Sequence, residues 1–204
     1  IVNSLQLRLT PREKQRISEH PIDNVKAYEC FLKAEREVMR FDEKSLDNAL
    51  AYLTTAIDIM GENAERYSGL ASVYSQYANI GIRQEDYLQK SEEYSKKALA
   101  LRPDLASALR KRGALAFYGD YPKNLQDNFR FQKKALAADP NEILALHSLS
   151  QTYLEIGKPS MSFPYVERMN RLDPLNPRLH VMQGYYYLYS CQFKPSMEQF
   201  HLLY

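Results

Sequence analysis

The sequence predicts an all-α protein built from stacked helix pairs, and three observations support this. Pro103, Pro140 and Pro174 recur at nearly equal intervals of about 35 residues, a period that is typical of helical repeat arrays. Each proline closes a similar phrase, such as Ala98-Leu-Ala-Leu-Arg-Pro103. The residues between the prolines have helical character, and glycine occurs only seven times in 204 residues. We therefore expect a solenoid of about five helix pairs.

Composition and charge exclude several classes of protein. The chain is 45% hydrophobic and 25% charged, which suits one globular unit or one solenoid. A net charge of +2 is too small to indicate a nucleic-acid or anionic-membrane partner. Cys30 and Cys191 predict neither a disulfide framework nor a metal site, and we interpret both as reduced core thiols. The sequence has no apolar run long enough to span a bilayer.

The N-terminal residues, 1–22, are interpreted as a linker with a short helix that follows an upstream domain. Thr10 suits the N-cap of this helix, Pro11 its first position, and Glu13 completes a capping box. Pro21 ends the helix, because proline disfavours helical geometry in the residue before it.

Residues 23–204 are predicted to form a repeat domain of five helix pairs. The pairs are expected over about 25–61, 63–103, 104–140, 141–174 and 176–204. Their first helices are placed near 25–38, 63–79, 104–118, 142–156 and 177–190, and their second helices near 44–60, 86–101, 123–138, 160–172 and from 195 onward. Asn176 and Pro177 predict a cap followed by a first-turn proline. Gly157 is expected in a turn with positive φ.

A short phrase recurs in the last two pairs. The segment 158–161, Lys-Pro-Ser-Met, is repeated at 194–197. Ser150 and Gly184 occupy matching first-helix positions in the same two pairs. The two copies of the phrase lie two residues further apart in the sequence than Ser150 and Gly184 do. The difference predicts a two-residue insertion in the turn of the fifth pair.

These phrases resemble the tetratricopeptide repeat (TPR). That family places a bulky residue, then Leu-Gly, then Tyr on the first helix, and Ala, an aromatic, Ala and a closing Pro on the second. The first-helix matches are Tyr67, Leu70, Ala71 and Tyr74 in repeat two, Leu146, Leu149, Ser150 and Tyr153 in repeat four, and Gly184 and Tyr187 in repeat five. Repeat three is degenerate, because Leu109 and Gly113 match but Arg112 and Ala116 do not. The second-helix matches are Ala49, Ala56, Ala98 and Ala135, and Gly61 replaces the proline of repeat one. The resemblance implies a right-handed superhelix whose small residues let paired helices approach closely.

A second resemblance concerns the segment that leads into the repeats. Leu7-Arg-Leu-Thr-Pro-Arg-Glu-Lys and His20-Pro-Ile-Asp-Asn-Val-Lys-Ala-Tyr are similar to the start of TPR regions in bacterial multidomain signalling proteins. These proteins include winged-helix transcriptional regulators, class III adenylate cyclases and Ser/Thr kinases. Because the sequence starts at Ile1 and shows no signal peptide pattern, we interpret it as part of a longer protein. Free cysteines favour the cytoplasm, and an extracytoplasmic region of a membrane-anchored regulator is the alternative.

No catalytic or metal-binding motif is visible. The sequence has no phosphate-binding glycine loop, no His-Glu-x-x-His, no Cys-x-x-Cys and no nucleophile elbow, and its histidines, His20, His147, His180 and His201, are scattered. We therefore expect no enzyme activity, cofactor or metal in this segment. The basic run 110–112 points in three directions on a helix, so we expect no direct binding of nucleic acid.

The resemblance also implies which residues face a ligand, since TPR proteins bind peptides or partner helices on the concave face formed by first helices. The corresponding residues here are Glu65, Ser68, Ser72 and Ser75 in repeat two, Ser107, Arg110, Ala114 and Phe117 in repeat three, Leu144, His147, Gln151 and Leu154 in repeat four, and Arg178, Val181, Tyr185 and Leu188 in repeat five. Arg110 is the only cation in repeats two to four of this set, which disfavours the acidic C-terminal ligand of chaperone adaptors.

We expect a protein–protein interaction scaffold that binds a peptide, a partner protein or its own output domain. The alternatives are a domain that senses a small molecule, and a self-association module that uses the tyrosine-rich segment 185–189.

Overall fold

The computed structural model describes residues 24–118 and 124–202, which form ten α-helices and no strand. In chain order the helices are α1 (Val25–Val38), α2 (Glu43–Met60), α3 (Ala64–Asn79), α4 (Gln84–Leu101), α5 (Ala106–Tyr118), α6 (Leu125–Ala138), α7 (Ile143–Glu155), α8 (Pro159–Leu172), α9 (Pro177–Tyr189) and α10 (Phe193–His201). The all-α prediction is confirmed. The short helix predicted near residues 10–20 lies outside the described residues.

The helices pack as five successive antiparallel pairs. Each odd-numbered helix packs most extensively on the even-numbered helix that follows it, and each even-numbered helix also contacts the next odd-numbered one. Consecutive odd-numbered helices touch one another, whereas consecutive even-numbered helices do not within the described residues. The odd-numbered helices therefore form the inner layer of a helical-repeat solenoid, as the sequence predicts.

Polar side chains define where several helices begin. Asn24, Asp42, Asn63 and Asn124 each accept a hydrogen bond from a backbone N–H in the first turn of the helix that follows. Asn176 does the same for α9, because its Oδ1 accepts from the N–H of Arg178 at 3.0 Å. A capping oxygen of this kind stabilises a helix by about 1 kcal/mol. The predicted cap at Asn176 is confirmed.

The residue before each closing proline leaves the helical conformation. Arg102, which precedes Pro103, has φ −142° and ψ 96°. Asp139 has φ −130° and ψ 100° before the next closing proline. The proline ring disfavours α geometry in the residue before it, so α4 and α6 end at these points. Gly61 ends α2 by a different route, since its φ of +73° suits a residue without Cβ.

A small buried polar side chain joins the two helices of each pair from the second to the fifth. In three pairs this side chain, from the second helix, donates to a carbonyl of the first, and in the fourth pair two hydroxyls meet. The contacts are Ser91 Oγ to the Ala71 carbonyl at 2.7 Å, Asn128 Nδ2 to the Gly113 carbonyl at 2.9 Å, Ser150 Oγ to Ser162 Oγ at 2.7 Å, and Ser196 Oγ to the Gly184 carbonyl at 2.9 Å. The small first-helix residues allow this approach, and the bonds satisfy polar groups that burial would otherwise leave without partners.

These contacts define the register of the last two pairs. Ser162 and Ser196 make equivalent contacts, and their offset in the sequence equals that between Ser150 and Gly184. Helices α8 and α10 begin at residues 159 and 193, which is the same offset again. The predicted two-residue insertion is therefore wrong. Pro159 is the first residue of α8 but Pro195 is the third of α10, so the repeated Lys-Pro-Ser-Met phrase occupies non-equivalent positions because packing, not sequence identity, sets the register.

The two cysteines occupy different environments. Cys30 is buried in α1, but Cys191 is exposed in the turn between α9 and α10, with φ +58°. The interpretation of both as core thiols is therefore wrong for Cys191. Its position matches that of Gly157, φ +72°, in the preceding pair.

Tyrosines fill the space between α3 and α4. Tyr74 stacks on Tyr94 with ring centroids 5.5 Å apart, and Tyr77 packs on Tyr87 at 5.0 Å. The Tyr77 hydroxyl donates to the carboxylate of Asp47 in α2, which connects the first pair to the second. Aromatic side chains thus provide much of the contact between neighbouring helices in this part of the chain.

Candidate functional site

A cavity of about 690 Å³ opens on the inner layer, and all five odd-numbered helices contribute to it. We name it the central groove. Its lining residues are Phe31, Ala34, Glu35, Val38, Met39, Phe41, Leu53, Glu65, Ser68, Gly69, Ser72, Ser75, Gln76, Asn79, Ser107, Arg110, Lys111, Ala114, Gln132, Glu142, Leu144, His147, Ser148 and Arg178. Its volume falls in the range of about 300–1,000 Å³ that is usual for ligand sites.

Most of the residues expected to face a ligand line this groove. They are Glu65, Ser68, Ser72, Ser75, Ser107, Arg110, Ala114, Leu144, His147 and Arg178. Repeats two, three and four supply most of them, and repeat five supplies only Arg178. That these residues bind a partner stays a prediction.

Phe117 and Leu154 are placed differently. Each is only 2% exposed, so neither offers a surface to a ligand in the groove. Both lie eight residues after the bulky first-helix residue of their repeat, Leu109 and Leu146. At 100° per residue this offset lies about 80° from the packed side of the helix, and Ser75, at the same offset from Tyr67, still lines the groove, so the helical angle alone does not decide which residues line it. The assignment of these two residues to the groove surface is therefore wrong.

The remaining assigned residues lie outside the central groove. Val181 packs against a core cluster that contains Leu146. Gln151 donates a 2.9 Å hydrogen bond to Glu155 in its own helix. The Tyr185 ring meets that of Phe200 edge-on with centroids 5.4 Å apart, and Leu188 is exposed beyond it.

Lys111 is one of several groove residues that the repeat-based assignment missed. Together with Ser107, Arg110 and Ala114 it forms a stripe at helical spacing along α5. This spacing was available in the sequence, but the family pattern assigns no ligand-facing position to residue 111. Arg112 points away from the groove and donates a 2.7 Å hydrogen bond to Glu92 of α4.

The centre of the groove carries three cationic side chains, of which Lys111 is buried and Arg110 and Arg178 are half-buried. Lys111 is 6% exposed, its side chain makes no hydrogen bond or ion pair with any residue that the structure describes, and its Nζ is not fully enclosed. Burial, and secondarily the charge of Arg110, holds the pKa of Lys111 well below its usual value. Arg110 Nε lies 3.3 Å from Glu142 Oε1 as an ion pair, yet it makes no well-oriented hydrogen bond within the described part of the chain.

The carboxylates of the groove have other partners or a raised pKa. Glu65 is paired with Arg102 at 2.6 Å. Partial desolvation, and then the nearby charge of Glu142, raises the pKa of Glu35, although Glu35 remains an exposed residue. Glu35 on α1 and Glu142 before α7 therefore face each other across the groove as like charges that repel.

His147 lies in the groove close to the positive charge of Arg178. Burial is the larger cause and Arg178 the smaller one of a shift that lowers the pKa of His147 to about 4. The imidazole is therefore neutral at physiological pH.

The two sides of the groove differ in polarity. Hydroxyls from α3 and α5 line its floor, where Ser68 Oγ and Ser107 Oγ are 2.8 Å apart. Towards α1 the lining becomes apolar, and Met39 and Phe41 remain 52% and 46% exposed there. This gradient suits an extended ligand with both polar and apolar groups.

The described residues contain neither a cluster of metal-ligating side chains nor a membrane-spanning helix. No group of three or more His, Cys, Asp or Glu residues in 24–118 and 124–202 could hold a metal ion. Across the same residues, no helix is both long and apolar enough to cross a bilayer.

Comparison with known proteins gives a likeness in structure and not in sequence. No protein-family model matches the chain, and no curated protein matches it. A thermophilic TPR protein of Thermus thermophilus, TTC0263, is similar with TM-score 0.65 and 13% identity, over 87% of this chain and 89% of that one. A TPR protein of Parabacteroides merdae has TM-score 0.53 and 16% identity, over 88% of this chain and 66% of that one.

A MamA protein has TM-score 0.51 and 17% identity, over 86% of this chain and 88% of that one. These identities are low, and the likeness therefore concerns the fold. The chain has the helical-repeat fold of the tetratricopeptide-repeat proteins.

Proposed function

We propose that this chain is a protein–protein interaction scaffold that binds an extended segment of a partner in the central groove. The observation that carries the proposal is that all five odd-numbered helices contribute to one cavity of about 690 Å³. Hydroxyls, charged groups and apolar side chains all line it, with the apolar ones towards α1, which suits recognition of an extended peptide. A preformed groove of this kind binds without a large cost of ordering the receptor.

We further propose that the scaffold is the regulatory or sensor region of a larger bacterial signalling or transcriptional regulator. The similarity of the leading segment to that of TPR regions in such proteins supports this proposal. In that setting the segment bound in the groove belongs to a partner protein or to an output domain of the same polypeptide. We place this role in the cytoplasm, with an extracytoplasmic region of a membrane-anchored regulator as the alternative.

The test is a bulky substitution inside the groove. Ala114 is half-buried on α5, so Ala114→Trp should fill the groove and abolish capture of binding partners by the 204-residue chain. Ala100→Trp is the matched control, because Ala100 is exposed on α4 and does not line the groove. Partners are captured from bacterial lysate by crosslinking and identified by mass spectrometry. A partner set that is unchanged by Ala114→Trp would contradict the proposal.

The groove volume also supports a second candidate, a domain that senses a small molecule. A cavity of about 690 Å³ would enclose a metabolite-sized ligand. Thermal-shift screening of metabolites tests this, since a ligand at about 100 times its dissociation constant adds roughly 2.7 kcal/mol to stability. A shift that survives Ala114→Trp would place the ligand outside the groove and contradict this candidate.

A further inference from the structure

The midpoint of the central groove contains a buried lysine without a partner. Lys111 is 6% exposed and lines the cavity, and its side chain has no hydrogen-bond or ion-pair partner in the described part of the chain, while its Nζ still reaches the open groove. A buried ammonium group without a counter-charge is costly, and such groups are usually paired. An anionic group that enters the groove would therefore gain more at Lys111 than at a solvated surface lysine.

The neighbouring charges favour an anion at this point. Arg110 and Arg178 both contribute positive charge here, and His147 is neutral. Glu142 is the carboxylate closest to Arg110 and is paired with it, while Glu35 has a raised pKa. No carboxylate that the structure describes is therefore paired with Lys111.

The position of Lys111 along the groove shows which kind of anion fits. Lys111 belongs to α5, the third of the five inner helices, and the groove continues on both sides of it. If the terminal carboxylate of a ligand bound at Lys111, the ligand would occupy the groove on only one side of that residue. If an acidic side chain in the interior of an extended segment bound there, the segment would occupy the groove on both sides.

The apolar residues near α1 add a second requirement. Phe31, Val38 and Phe41 lie two inner helices away from Lys111. Helices pack about 8–10 Å apart and an extended chain advances about 3.3 Å per residue, so this distance corresponds to roughly five or six ligand residues. An apolar ligand side chain at that spacing would cover Phe41, which is 46% exposed, and the half-buried Phe31.

We propose that the segment bound in the central groove carries an Asp or Glu in its interior that pairs with Lys111, and an apolar residue roughly five or six positions away on the α1 side. This inference rests on the proposed function. It adds the chemistry of the ligand and the residue that recognises it.

The experiment is selection of peptides from a phage-displayed library of random dodecapeptides on the immobilised full chain. The inference predicts that selected peptides share an interior acidic residue with an apolar residue at the stated spacing. Each selected peptide is then synthesised with an acetylated N-terminus and with either a free or an amidated C-terminus. Replacing the acidic residue by its amide should weaken binding by about tenfold or more, because a buried charge then loses its partner.

Variants of the chain assign the effect to Lys111. Lys111→Met should weaken binding of the acidic peptides by about tenfold and leave the amide analogues almost unchanged. Lys133→Met is the matched control, since Lys133 is exposed on α6 and does not line the groove. If Lys111→Met fails to fold, the acidic peptides and their amide analogues are compared on the wild-type chain. That comparison still tests whether binding needs the charge of the ligand.

Three outcomes would overturn the inference. Selected peptides that lack an interior acid, or that bind Lys111→Met as well as wild type, would leave the proposed function intact but remove the role of Lys111. Peptides that lose binding when the C-terminus is amidated would indicate a terminal carboxylate in place of a side chain. If no peptide is selected, or if Ala114→Trp binds the selected peptides normally, the proposed function itself fails.

Discussion

The ring of Phe200 in α10 covers the backbone of Gly184 in α9 so closely that a Cβ on this glycine would lie 2.6 Å from the ring. Gly184→Ala should therefore destabilise the chain, although alanine is the better helix former by about 1 kcal/mol. Overpacking of this kind costs about 1–3 kcal/mol, so we expect a net loss of about 1 kcal/mol. Urea unfolding measures the loss.

The double variant Gly184→Ala with Phe200→Leu separates the contact from other effects. A smaller side chain at 200 should remove most of the cost of the alanine, which would appear as a coupling energy in a double-mutant cycle. Equal costs of Gly184→Ala in the two backgrounds would show that the ring is not the obstacle.

Cys191 provides a second prediction, since it has a left-handed backbone at a position where the preceding pair has Gly157. A non-glycine residue in this conformation costs roughly 1 kcal/mol, so Cys191→Gly should stabilise the chain by a few tenths to about 1 kcal/mol. Gly157→Ala is the matched reverse change and should destabilise by a similar amount. Both are measured as shifts in the urea midpoint. A loss of stability in Cys191→Gly would contradict the equivalence of the two turns.

Lys111 provides a prediction about stability and pH. Its pKa in the folded chain is well below the value in the unfolded chain, so between the two values the unfolded chain holds a proton that the folded chain has released. The free energy of unfolding therefore rises with pH between these two pKa values. Below the folded-state pKa, the chain carries the full cost of burying a charged Lys111. Lys111→Met should be more stable than wild type near neutral pH, by about 1 kcal/mol or more.

This advantage should shrink as the pH approaches the unfolded-state pKa of lysine, about 10.4. Urea unfolding of both proteins over a pH series measures it, and Lys133→Met is again the control. An advantage of Lys111→Met that stays constant over the series would show that Lys111 keeps its proton in the folded chain.

His147 provides the corresponding prediction in acid. Its pKa of about 4 in the folded chain lies below the ordinary value of 6.5, so the unfolded chain binds a proton first as the pH falls. Stability is unaffected above the unfolded-state value and is lost between about pH 6.5 and pH 4. As the pH falls over this range, we expect the free energy of unfolding of His147→Leu to decrease by about 1–3 kcal/mol less than that of the wild type.

Urea unfolding at the two ends of the range measures the difference for His147. An NMR titration of the imidazole provides an independent measurement. A midpoint near the ordinary value would show that the ring is solvated and would remove the predicted difference.

Local signals in the sequence predicted most of the fold. The observed ends of most helices lie within two residues of the predicted ones, because caps and breakers such as Asn176, Pro103 and Gly61 act on the residues next to them. Most of the predicted ligand-facing residues line the groove, and their role in binding stays a prediction. Phe117 and Leu154 do not line it, because they are buried, and Ser75 at the same offset shows that the helical angle alone could not predict this.

By itself the sequence determined the all-α class and the number of helix pairs in the described residues, since these depend on residues that are neighbours in the chain. Only the tertiary structure decided the register of the last two pairs, the exposure of Cys191 and the burial of Lys111. These depend on contacts between helices, such as that of Ser196 with Gly184, which join residues that are not neighbours in the chain. The environment of a lysine is set by which helices surround it, and no local pattern of residues 110–112 records that.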